Sequence, residues 1–158
     1  MRQQWRDRPI SATGCGRTLH LVDVDNLLGD PSTTDRAWIR SRLAEYQRRS
    51  QYRTGDHVVI ATGRNGLHVL ECELAWPGAL YRRRAGVDGA DLELVEQARW
   101  AATSGRYARV VIGSGDGHFA VVVDELAAAR VHVEVIARST SVARSLSSSA
   151  ALCRLMAC

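Results

Sequence analysis

The chain contains no lysine: all 21 of its basic residues are arginine. Any phosphate or carboxylate held by a side-chain cation is therefore held by a guanidinium, whose planar fork suits bidentate contacts. No pair among Cys15, Cys72, Cys153 and Cys158 has C-x-x-C spacing, which excludes the usual zinc and thioredoxin-like motifs. In a reducing cytosol the four read as free thiols. No apolar run approaches the roughly 20 residues that span a bilayer. The first residues, MRQQWRDRPI, are basic but lack the apolar segment of a signal peptide, so the expected location is cytoplasmic, with no membrane partner. Internal repeats are absent. No glycine fingerprint follows the first apolar run, which argues against a small-nucleotide binder of Rossmann type.

What is present is a chain of 158 residues with 46% hydrophobic and 24% charged residues, long enough for one well-filled core. Its net charge of +4 permits a polyanionic partner. Residues 1–17 have no periodicity and read as a flexible basic arm, in which Arg2, Arg6, Arg8 and Trp5 are available to phosphates and bases. Residues 18–158 read as a single domain. Apolar, β-branched runs at 18–24, 56–61, 79–84, 109–112 and 131–136 predict strands buried on both faces. Helical spacing predicts helices over 34–49, 67–74, 88–102, 118–129 and 141–156. The last of these includes a serine-rich stretch and is free to cover a site or to join a homodimer. Alternation of strands and helices implies a parallel sheet covered on both faces.

The acids gather at the ends of these strands. Asp23, Asp25 and Asn26 close the first; Asp88 and Asp91 open the helix after the third; Asp116 sits in the glycine turn after the fourth, beside Ser114. In a parallel sheet these all fall on the C-terminal edge, where ligands bind. Each has an ordinary reading alone. Asp88 caps the helix and Asp91 favours its dipole, Asp25 makes a turn, Asn26 caps one, and Asp116 caps the helix at Gly117. Together they need a cation, because two carboxylates about 4 Å apart repel by roughly 4 kcal/mol at an effective dielectric near 20. Mg²⁺ or Mn²⁺ suits such oxygen donors. His118 follows the turn and is either an exposed histidine or a ligand. His20, His57, His68 and His132 lie away from the acids and read as structural.

The stretches LVDVDNLL, GADLELVEQA, VIGSGDGHFAVVVDEL and VEVIARSTSVARSLSSSA resemble, in that order, the signature blocks of the NYN domain, a family of the PIN-like nuclease superfamily. The resemblance runs from about Thr18 to Leu155, and Ser114-Gly115-Asp116-Gly117-x-Phe119 is its most specific piece. It implies a three-layer Rossmann-like α/β fold with a five-stranded parallel sheet of order 3-2-1-4-5. It also implies a metal-dependent endoribonuclease acting on single-stranded or structured RNA. By position, the family's metal-binding acids fall on Asp23, Asp91 and Asp116, with Asn26 as an accompanying catalytic amide. Asp25, Asp88, Ser114 and His118 are supporting residues. The family pattern usually has a second acid where this chain has His118, and an acid later in the middle helix is unmatched, although Glu96 lies nearby. Arg64, Arg82, Arg83 and Arg84 follow strands at the same edge and are the candidate RNA contacts. The competing expectation is a catalytically weak RNA-binding or protein-interaction module on the same fold.

Overall fold

The chain's runs of β-branched and leucine residues build a parallel sheet, as a computed structural model describing residues 16–30, 33–62, 67–84, 88–150 and 152–156 shows. The first strand, β1 (Arg17–Asp23), is central. Its side chains alternate between the two faces: Leu19 and Leu21 enter one core layer, and Val22 enters the other. A short helix, α1 (Val24–Leu28), follows without a break, and then come α2 (Arg36–Ser50), β2 (His57–Ala61), α3 (Leu67–Ala75) and β3 (Leu80–Arg82). The second half runs α4 (Gly89–Ser104), β4 (Tyr107–Gly113), a 3-10 turn (Gly117–Phe119), α5 (Ala120–Ala128), β5 (His132–Arg138), α6 (Arg144–Ser149) and β6 (Leu152–Met156).

All pairings are parallel and the order is β3-β2-β1-β4-β5-β6. The first five strands stand in the expected 3-2-1-4-5 order, and the fold is a three-layer α/β sandwich. The sixth strand corrects the expected helix over 141–156. Four serines between 145 and 149 favour local backbone contacts over helix continuation, and α6 stops after six residues. The open edge of β5 then pairs with Leu152–Met156, and Met156 enters the core while Leu152 and Leu155 remain partly exposed.

Leu94 and Ala98 of α4, Val122 and Leu126 of α5, and Leu146 of α6 fill one side of the sheet. Leu27 of α1, Ile39 and Tyr46 of α2, Cys72 of α3, and Trp76 fill the other. The charged groups buried near the strand starts are paired. Arg109 binds Glu134 through two hydrogen bonds of 3.0 and 2.9 Å and donates at 2.7 Å to the Ser50 carbonyl. His20 bonds Tyr46 and Asp56, His57 bonds Tyr107, and His132 bonds Glu134, so these three histidines belong to the scaffold. His68 is buried in α3. Among the described residues no helix is long and apolar enough to cross a membrane. Arg17, expected in the basic arm, opens β1; residues 1–15 of that arm, with Arg2, Trp5, Arg6 and Arg8, lie outside the described residues.

Candidate metal centre

The ends of β1 and β4 lie side by side, with Val22 in register with Gly113. Asp23 therefore sits next to the turn that carries Ser114 and Asp116. The Asp23 carboxylate caps α1, accepting from the Asn26 backbone N–H at 3.1 Å, and its second oxygen accepts from the Ser114 hydroxyl at 3.2 Å. Ser114 Oγ in turn accepts from the Asp116 N–H at 3.2 Å. Asn26 reaches across to the same turn, where its side-chain oxygen accepts the Gly115 N–H at 2.9 Å. Asn26 and Ser114 thus act as ties between two strand ends. The Gly115 N–H is consumed by this tie.

Close backbone approach makes the arrangement depend on glycine at two points. A Cβ on Gly115 would lie 2.3 Å from the Ser141 carbonyl oxygen, and Ala143 donates at 2.8 Å to the Gly115 carbonyl. The segment leading into α6 is therefore packed on the acid turn, so this end of the chain braces the site. A Cβ on Gly89 would lie 2.2 Å from the Arg84 carbonyl oxygen, so α4 starts tight against the chain that leaves β3.

That tight start sets Asp88 and Asp91. Asp88 stands in the left-handed region, at φ 58°, and makes no side-chain cap bond, which corrects the expectation that it caps α4. Asp tolerates this conformation better than most residues, at a cost of about 1–2 kcal/mol. Asp91 is buried in the first turn and lies within hydrogen-bonding reach of Asp23. Its Oδ1 is buried and meets no hydrogen-bond donor. Ligand atoms of Asp88, Asp91 and His118 lie within 4.8 Å of one another, the one such metal-competent group among the described residues. Asp116 caps the 3-10 turn through the His118 N–H at 2.8 Å, and the same oxygen lies 2.8 Å from His118 Nδ1.

The electrostatics follow from this crowding. Burial pushes the Asp23 carboxyl up to about 8, and the neighbouring Asp91 and Asp25 add to the rise against the opposing Asn26 bond. Asp91 is also raised, by burial first and then by Asp116, while Asp23 and His118 pull it down. A buried acid pair of this kind shares a proton or holds a cation. The orphaned Asp91 oxygen and the hard carboxylate donors around it fit a divalent ion.

Thus Asp23, Asp88, Asp91, Ser114, Asp116 and His118 converge on one edge. Asp25 leans toward β2 and accepts from the Thr62 hydroxyl at 3.0 Å. Arg82 and Arg84 leave the end of β3 but pair with α4, at 3.4 Å to Glu93 and 2.8 Å to Glu96; Arg83 is exposed, and Arg64 lies outside the described residues. One contributor was missed by sequence reasoning. Arg138, at the end of β5, donates at 2.8 Å to the Asn26 carbonyl and so holds α1 at the site. Its only signal was a charged residue ending a buried strand. A groove of about 510 Å³, lined by Trp76, Trp100 and Arg106, lies instead near the starts of the strands. The site rests on the convergent acids and not on the size of a cavity.

Comparison with solved structures finds a crystal structure of a protein of unknown function from Vibrio parahaemolyticus. It is 16% identical, covers 89% of this chain and 93% of its own, and has a TM-score of 0.65, a likeness of fold. The curated proteins contain no significant match. The NYN domain matches residues 73–154, which span α4, the acid turn, α5 and β5. With just over half its length matched, and the three-layer parallel sheet that carries this edge, the chain belongs to the NYN domain family, on the fold of the PIN-like nucleases.

Proposed function

We propose that the protein is a metal-dependent endoribonuclease that hydrolyses RNA phosphodiester bonds at the C-terminal edge of its sheet. The observation that carries this reading is the pairing of two buried acids, Asp23 and Asp91, with one Asp91 oxygen left without a donor at an edge ringed by Asp88, Asp116 and His118. Asp23, Asp91 and Asp116, directly or through waters, would hold Mg²⁺ or Mn²⁺, which lowers the pKa of a bound water and offsets charge building on the phosphate.

The chain's own residues do the positioning. Ser114 and Asn26 lock Asp23 and the 114–116 turn together, so the acids meet substrate already aligned. Arg138 holds α1 from the other side. Asp116 aims the His118 ring. Arg83, and the outer faces of Arg82 and Arg84, offer guanidinium contacts to the RNA backbone beside the acids. RNA is thus the partner, single-stranded or structured.

Purified protein incubated with mixed RNA and Mn²⁺, Mg²⁺ or EDTA tests this directly. Cleavage is expected with metal and not with EDTA, and it should fall by at least about 100-fold in Asp91→Asn and in Asp116→Asn. Equal cleavage by wild type and Asp91→Asn would overturn the assignment. One observation favours the second reading, an RNA-binding module without catalysis: the His118 ring sits against Asp116 at 2.8 Å and occupies one of its oxygens. RNA binding that persists in EDTA, with no cleavage under any metal, would decide for it.

A further inference from the structure

The position after the acid turn carries an imidazole, and its surroundings are those of a ligand. Asp116 Oδ1 lies 2.8 Å from His118 Nδ1, which orients the ring and leaves Nε2 as the nitrogen available for coordination. A carboxylate on the far nitrogen is the arrangement that fixes the tautomer of metal-bound histidine and raises its basicity. The ring is more than half exposed, so it is not held there by packing. A ring nitrogen of His118, an Asp88 oxygen and an Asp91 oxygen lie within 4.8 Å of one another. On one octahedral ion with bonds of about 2.1 Å, ligands stand roughly 3.0 Å apart when adjacent and roughly 4.2 Å when opposite, so the three groups draw together when they close on an ion. Independently, Asp91 Oδ1 is buried without any donor.

We propose that His118 is itself a metal ligand, with Asp88 and Asp91, and that this imidazole makes the centre selective for a first-row transition cation such as Mn²⁺ over Mg²⁺. The inference rests on reading this edge as the metal centre. Mg²⁺ demands near-ideal octahedral oxygen coordination and sheds water reluctantly. A nitrogen donor discriminates against it, and along the divalent series from manganese onward affinity for such mixed sites rises. Of the three acids assigned to the ion in the proposed function, Asp91 then binds it directly, while Asp23 and Asp116 reach it through waters. Asp23 holds Asp91, and Asp116 holds His118. Asp88, with its left-handed backbone and free of the capping role, completes the set.

The test needs no RNA. Mn²⁺ binding to the full chain is followed by the electron paramagnetic resonance of the free ion, with Mg²⁺ as competitor. The wild type should hold Mn²⁺ against at least about a 100-fold excess of Mg²⁺. His118→Ala should lose about 10–100-fold in Mn²⁺ affinity with Mg²⁺ affinity changed by less than about threefold, and Asp116→Asn should lose part of the same preference. His118→Asp should restore binding but narrow the ratio in favour of Mg²⁺. Sub-stoichiometric Mn²⁺ should broaden the His118 ring signals in the nuclear magnetic resonance spectrum before those of the other histidines. An unchanged Mn²⁺-to-Mg²⁺ ratio in His118→Ala, or His118 signals untouched by Mn²⁺, would overturn the inference. If RNA is cleaved as fast in Mg²⁺ as in Mn²⁺, with that ratio unaltered in His118→Ala, the nuclease reading survives and this inference fails. The expected ratio with no RNA cleavage under any metal would do the reverse.

Discussion

At the residue scale, two kinds of buried titratable group pull the protein's acid stability in opposite directions. His20 is fully buried between Tyr46, at 3.1 Å, and Asp56, at 3.3 Å. Burial pushes its imidazole down to about 4, and the Asp56 contact only partly opposes this. The unfolded chain binds this proton below about 6.5, whereas the folded chain does not until about 4. His20 therefore contributes stability above pH 6.5 that is lost as pH falls toward 4, at most about 3 kcal/mol. Asp23 has the opposite sign: its raised carboxyl stabilises the metal-free fold as pH falls from 8 toward 4. Subtracting a variant from wild type at each pH removes the Asp23 contribution. Unfolding free energies of wild type and His20→Gln from urea titrations should converge by up to about 3 kcal/mol between pH 6.5 and 4. A constant gap across that range would show that His20 is not held neutral by burial.

Residues are also where the sequence was most and least legible. Asp23 and Asp116 could be read because each closes or follows an apolar run at a predicted strand end, and Asp91 because it opens the helix after the third strand. Their pairing could not: Asp91 meets Asp23 only because α4 is drawn against the residue Arg84 backbone by a glycine. Asp88 obeyed the sequence rule for a cap, yet its backbone is left-handed and it makes no cap bond. Arg138 gave no local sign of its reach to Asn26, a contact spanning 112 residues.

At the scale of elements, strands with uninterrupted apolar runs and helices with clear 3.6-residue spacing were readable, and their order implied the sheet. Elements decided by neighbours were not. The five residues of α1 are too few to carry a periodic signal, and they form because Asp23 caps them while Gly29, left-handed at φ 77°, stops them. Val142, Leu146 and Ala150 share helical spacing, yet the segment breaks after Ser149 because β5 offers an open edge. This same segment matters to the site through Gly115. In Gly115→Ala the new methyl would meet the Ser141 carbonyl at 2.3 Å, backbone against backbone, and the turn carrying Ser114 and Asp116 must shift. Stability should fall by about 1–3 kcal/mol, and metal affinity should fall further than in Val133→Ala, a core substitution of similar cost at the start of β5. Thermal melts with and without Mn²⁺ measure both. A Gly115→Ala protein that melts lower but is stabilised by metal as much as wild type would separate the turn from the site.

At the scale of the whole molecule, a net charge of +4 spread over 21 arginines says less about RNA binding than where those arginines are left uncompensated. Arg99 is spent on Glu125, Arg36 and Arg40 on Glu71, and Arg109 on Glu134. At the end of β3, Arg82 and Arg84 are each turned toward a glutamate of α4, whereas Arg83 is exposed with no ion pair recorded among the described residues. A phosphate contact releases condensed counterions, and one contact to a single strand contributes about 0.7 to the slope of log affinity against log salt. Arg83→Ala should therefore lower that slope by about 0.7 while weakening binding nearly equally for all RNA sequences, because phosphate contacts carry no base information. Arg84→Ala should lower it less, since its guanidinium already answers to Glu96 at 2.8 Å, and Arg99→Ala should leave it unchanged. Fluorescence anisotropy of a labelled single-stranded RNA over a salt series, in EDTA to suppress cleavage, measures all three slopes. Equal slopes in Arg83→Ala and wild type would move the RNA path off the end of β3.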